Sequence, residues 1–137
     1  MKRIILSALA LALLTAQAQA SAGFSCEADD KNVTKLVIEG ATPRSGGALI
    51  NFGGVAEDGG EQVDVKLADV KGFTGKNGII QVRATARAGE ETFSVYLNVR
   101  RNPKDEDDWG GAYEVAYGPK AKPKATIKRG KVKCAVE

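Results

Sequence analysis

The chain contains no histidine, which removes the commonest general base and the commonest metal ligand at neutral pH. Its two cysteines are too few to build a thiolate metal site without imidazole partners. No Gly-x-Ser-x-Gly elbow is present, and Ser45-Gly46-Gly47 has no base to activate the serine. Beyond residue 16 no apolar run approaches the ~20 residues of a membrane helix, so no membrane span is expected. A sustained 3.6-residue apolar stripe is also missing, which argues against a helical domain. There is little excess of charge either. The whole chain is formally +3, with 20 basic and 17 acidic residues among 137, and that balance gives no reason to expect nucleic acid as a partner.

What is present starts at the N-terminus. Lys2 and Arg3 precede an apolar stretch from Ile4 to Ala16, and Ala18-Gln19-Ala20 supplies a small-x-small cleavage pattern. Residues 1–20 therefore read as a secretory signal peptide removed after Ala20, with Ala22 as the second choice. Cys26 is not placed for lipid attachment, because Gly23-Phe24-Ser25 precedes it and the bulky Phe does not suit a lipobox. Residues 21–137 then form one domain, since single domains commonly run to ~100–150 residues. Lys2 and Arg3 leave with the leader, so the domain carries a charge of +1. The expected location is the bacterial periplasm or the exterior, both oxidising.

In that setting Cys26 and Cys134 read as one disulfide joining the first and last strands. Redox pairs usually sit close together in sequence, and metal sites bring more Cys or His. A bridge closing so long a loop is worth up to ~4–5 kcal/mol in the chain-entropy picture.

The domain alternates apolar and polar residues with period two. Ile80, Val82, Ala84, Ala86 and Ala88 alternate with Gln81, Arg83, Thr85 and Arg87. After Gly89-Glu90 the pattern resumes with Phe93, Val95, Leu97 and Val99. A two-residue Gly-x loop suits a type II′ hairpin. Pairing Ala88 with Glu91 then sets Ala86 against Phe93, Ala84 against Val95 and Val82 against Leu97, so every inward residue meets another. Further strands are expected around Phe24–Ala28, Val33–Glu39, Ala48–Ala56, Gln62–Leu67, Tyr113–Tyr117 and Val132–Val136, with Gly53-Gly54 as a bulge or close approach. Residues 68–78 are the least defined, and Ala68-Asp69-Val70-Lys71 could form one helical turn. The expected fold is all-β: a single antiparallel β-sandwich of about eight strands, with a small barrel as the alternative.

Four features could carry function. Arg83, Arg87 and Arg100 project on the outer face of the hairpin with Tyr96 between them. Lys120, Lys122, Lys124, Lys128, Arg129, Lys131 and Lys133 add seven basic residues without an acid among residues 120–133. Together they suit an acidic protein or an anionic envelope component; the plainer reading is a solvated face. Trp109, the single tryptophan, could stack on a sugar from a loop, whereas Tyr113 and Tyr117 share a face with Val115 and read as core. The run Asp105-Glu106-Asp107-Asp108 could offer oxygens to Ca²⁺ through Asp105, Asp107 and Asp108, although Trp109 breaks the EF-hand spacing and a solvated turn explains the run as well. Finally, carboxylates at Glu57-Asp58 and Asp105–Asp108 could act as a glycosidase pair, but so small a β domain rarely provides the cleft.

Over four residues, Arg44-Ser45-Gly46-Gly47 resembles the Ser-Gly loop that periplasmic lysozyme inhibitors insert into their enzyme. The tyrosine of that motif is missing, since Ala48-Leu49-Ile50 follows. The expectation is thus a monomeric, non-enzymatic exported binding protein needing no cofactor. A glycan or envelope-polymer module is the alternative, with a carboxylate hydrolase and a lysozyme-inhibitor-like protein behind it.

Overall fold

The structure is a computed structural model that describes residues 21–44, 46–58, 61–119 and 126–137. The expected leader at 1–20, Ser45 of the Ser-Gly loop, and Lys120, Lys122 and Lys124 lie outside the described residues. The elements are β1 (Ser21–Ala28), β2 (Lys35–Pro43), β3 (Asn51–Asp58), β4 (Glu61–Lys66), a 3₁₀ turn over Leu67–Asp69, β5 (Val70–Lys76), β6 (Ile79–Ala88), β7 (Glu91–Asn102), β8 (Asp105–Pro119) and β9 (Thr126–Val136). They form one antiparallel sheet in the order β4-β3-β2-β1-β9-β8-β7-β6-β5. The all-β antiparallel fold is as expected, and of the two closures expected it is the barrel.

Strand directions explain how the barrel closes. Every ladder is antiparallel, including β1 with β9. Three reversals lead from β1 to β4, and five lead from β1 through β9 to β5. An odd number on both routes means that β4 and β5 run the same way. They are two halves of one bent strand, and the turn at Leu67–Asp69 is the bend, held by the Lys66 N–H donating to Asp69 Oδ2 at 2.8 Å. The first half pairs with β3, the second with β6, and β4 also packs against β6. Nine strands therefore occupy eight positions, a size whose interior side chains can fill.

They nearly do. Cys26, Ile38, Val65, Val82, Ala84, Phe93, Val95, Leu97, Val99, Tyr113 and Val115 are all almost wholly buried. The β6–β7 register runs from Ala88↔Glu91 to Ile80↔Val99, as the alternation requires. Gly89 takes the left-handed conformation (φ 65°) that the first position of the tight turn demands. Ala84 and Ala86 face Val95 and Phe93, so small side chains meet large ones across the layer. Gly54 forms no bulge; it lies opposite Ile38, and a methyl there would run into the Ile38 side chain.

β5 is the strand that the alternation did not reveal. Gly72 and Gly75 interrupt its pattern, and it is anchored by an Asn77-Gly78 turn with φ of 56° and 71°. Two positive φ values define a type I′ hairpin, for which Asn-Gly is the preferred pair.

The first and last strands of the chain meet at one seam. Cys26 and Cys134 stand directly opposite each other on β1 and β9 and are joined by a disulfide. A second fastening lies at one end of that seam. Asp30, just after β1, accepts hydrogen bonds from Tyr113 Oη (2.7 Å), Asn32 N (2.9 Å) and Lys131 N (2.5 Å). Asp29 N donates to Lys131 O and Asn32 Nδ2 to Arg129 O, each at 2.7 Å. The carboxylate fits because residue 130 is glycine: a methyl there would collide with Asp30 Oδ2.

Two outcomes follow from the seam. Replacing Cys26 and Cys134 together by alanine is expected to lower stability by about 2–5 kcal/mol in urea denaturation. Partial burial of Asp30 pushes its pKa up, but the hydrogen bonds from Tyr113, Asn32 and Lys131, with the Lys131 charge, outweigh this and leave it below the ordinary value. A carboxylate so depressed contributes stability above its unfolded pKa, and this is lost as pH falls through the folded one. Stability is therefore expected to drop below about pH 4. Asp30→Asn should cost about 1–3 kcal/mol at pH 7 and make that drop shallower, as urea melts at several pH values would read.

Candidate functional site

Outward positions of β6 to β9 carry Arg83, Arg87, Arg100, Arg129, Lys131 and Lys133, all exposed. The registers align four of this wall's residues in one row across four strands: Arg83 opposite Tyr96, Tyr96 opposite Glu114, and Glu114 opposite Arg129. The Arg83 guanidinium lies over the Tyr96 ring, 5.4 Å from its centroid. Arg129 Nε donates to Glu114 Oε2 at 2.7 Å. A charge–ring contact and a charge pair thus hold both ends of the row in place. Arg87 and Arg100 belong to no ion pair among the described residues. Beside Arg83 and Tyr96 runs a groove of about 180 Å³ whose lining includes Lys71, Thr74 and Gln81.

The opposite wall has the other sign. Outward positions of β1 to β4 carry Glu27, Glu39, Glu57 and Asp64 against Lys35 and Lys66. Outward positions thus lean basic on β6 to β9, despite Glu114 and Asp108, and acidic on β1 to β4. Arg83, Arg87, Tyr96 and Arg100 lie on the outer face of β6 and β7, and Glu114 and Arg129 continue the row through the β7–β8 and β8–β9 registers.

The acidic run is built differently from the expected turn. Asp105 to Asp108 begin β8, and the connection from β7 is only Pro103-Lys104. The register passes from Arg101↔Trp109 to Asn102↔Asp105, leaving Glu106, Asp107 and Asp108 as a three-residue bulge. Asp108 is held there by Asn102 Nδ2 (2.9 Å) and Lys133 Nζ (3.0 Å). Asp105 accepts from the Asp107 N–H at 3.1 Å. Among the described residues, no three His, Cys, Asp or Glu side chains converge as a metal ion would require. Glu57 and the Asp105 run lie at opposite ends of the barrel, because β3 ends where β8 ends rather than where it begins. They form no carboxylate pair.

Trp109 is not displayed on a loop. It sits inside β8, opposite Arg101 and Cys134, half-buried, with its Nε1 donating to Glu106 O at 3.1 Å. Tyr113 and Tyr117 face inward, Tyr113 in the core and Tyr117 against Phe93 with ring centroids 5.0 Å apart.

Compared with protein-family models, curated proteins and solved structures, the chain matches none. The site therefore rests on its own chemistry.

One consequence can be read by NMR. The Asp108 carboxyl is held below its ordinary pKa, first by the hydrogen bond from Asn102 and then by Lys133 and its charge. In a carboxyl titration, Asn102→Ala and Lys133→Met are each expected to raise that pKa.

Proposed function

We propose that the chain is exported, loses residues 1–20, and acts outside the cytoplasm as a non-enzymatic binding protein whose basic wall takes an acidic protein surface. The observation that carries this reading is the Arg83–Tyr96–Glu114–Arg129 row flanked by Arg87, Arg100, Lys131 and Lys133. Arg and Tyr are the residue types enriched at protein interfaces. A guanidinium already stacked on a ring is partly ordered before binding, so less side-chain freedom is lost when a partner arrives. A disulfide between the terminal strands fits an oxidising compartment. Among the described residues no helix is long and apolar enough to cross a membrane.

An anionic envelope polymer is the competing partner for the same wall. A glycan reading based on Trp109 would need the sugar to reach a ring that is half-buried at the end of the barrel.

The test is retention. The oxidised chain is immobilised, envelope extract is passed over it, and bound material is eluted with salt rising to several times physiological strength, where exposed charges are screened. A protein eluting in a narrow salt step is expected, and Arg83→Glu, Arg87→Glu and Arg100→Glu together should abolish its retention. Polysaccharide alone in the eluate would assign the wall to the polymer. Retention unchanged by the triple substitution would remove the wall from consideration.

A further inference from the structure

One end of the barrel is less filled than its middle. The start of β1, the end of β2, the β5–β6 hairpin, the start of β8 and the end of β9 surround a cavity of about 180 Å³. Phe24, Phe73, Ile79, Ile80, Trp109 and Val136 form its apolar lining. The Phe24 and Phe73 rings are stacked, with centroids 6.1 Å apart and planes 9° from parallel. Thr42, the polar residue in the buried set, also borders it. So does Lys76, the one charged side chain in the lining among the described residues.

We infer that this mouth binds a compact, single-ring aromatic molecule carrying an acidic substituent, with the ring among Phe24, Phe73 and Trp109 and the acid at Lys76. Size is the first argument. An enclosed apolar cavity of ~150 Å³ has room for benzene; this one is slightly larger and open to solvent on one side. Lining is the second: three aromatic rings offer both faces and edges, the geometry in which another ring is held best. Charge is the third. Among the described residues the lining contains no carboxylate and one ammonium, at the exposed side, so an acid on the ligand would meet a cation there while its ring remains in the apolar part. A small barrel with room for one small ligand is a recurrent arrangement. The site is independent of the basic wall, since its side chains point inward or line the rim while Arg83, Arg87 and Arg100 point outward.

The experiment uses the full chain with its disulfide formed. Benzoate, benzyl alcohol and hexanoate are titrated separately, following the emission of the single tryptophan and the heat of binding. Benzoate is expected to change Trp109 emission saturably and to bind more tightly than either other probe. Lys76→Glu should weaken benzoate about tenfold while changing benzyl alcohol less than about twofold. Ala22→Phe and Val136→Phe, each placing a ring into the cavity from a strand end, should each weaken benzoate by about tenfold or more, with thermal melts confirming that both fold. The triple arginine-to-glutamate substitution of the outer wall should leave benzoate binding intact. No saturable signal below about 10 mM, the weak limit for so few atoms, would overturn the assignment. Tighter binding of hexanoate than of benzoate would overturn it too, as would wild-type affinity in both folded filling variants.

Discussion

Closure between β1 and β9 is the constraint on which the rest of the fold depends. Without it the chain is two meanders, β1 to β4 and β5 to β9, each with one apolar face open to water. Pairing the two terminal strands turns those faces toward each other and makes a single interior. The Cys26–Cys134 bridge lies within that pairing, and the Asp30 carboxylate secures one end by gathering donors from β8, β9 and its own loop. Covalent and polar fastenings thus reinforce the same line. The opposite side of the barrel, where β4 gives way to β5, is closed by packing against β6 without a continuous ladder. The molecule has one strong seam and one weak one.

Much of this was legible in the residues, and what was not had physical causes. The β6–β7 hairpin could be read to the residue because alternation and turn chemistry agree on one register. The disulfide could be read because two cysteines in a chain without histidine have little to pair with except each other. β5 was hidden because Gly72 and Gly75 remove two side chains from a seven-residue pattern, although Asn77-Gly78 was the usable signal. β8 was read too short because nothing between Asp105 and Gly111 alternates except Trp109; that segment is a strand because β7 and β9 flank it, which is tertiary context overriding local preference. The outward arginines of β6 and β7 followed from parity alone. Their continuation to Glu114 and Arg129 could not, since it requires knowing that β8 and β9 lie next in the sheet. The barrel mouth was equally hidden, because its lining comes from the ends of six strands, most of them far apart in sequence.

The two candidate sites use the two sides of the same strands. In β6, Ile80 turns inward to the mouth while Arg83 turns outward to the wall. A strand offers this division without added structure, because successive side chains alternate faces. An apolar ligand inside and an acidic partner outside would therefore engage neighbouring positions of one hairpin.

Outward positions carry more acids than bases on β1 to β4 and, the Asp105–Asp108 run at the start of β8 apart, more bases than acids on β6 to β9, which gives a molecule of small net charge a transverse electric dipole. Such a body is turned by the field of a charged surface before it touches it, and reaches that surface with its basic side leading. Orientation of this kind speeds productive encounter at low ionic strength and weakens as counterions thicken around both partners. The barrel thus has a front and a back that its near-zero total charge conceals.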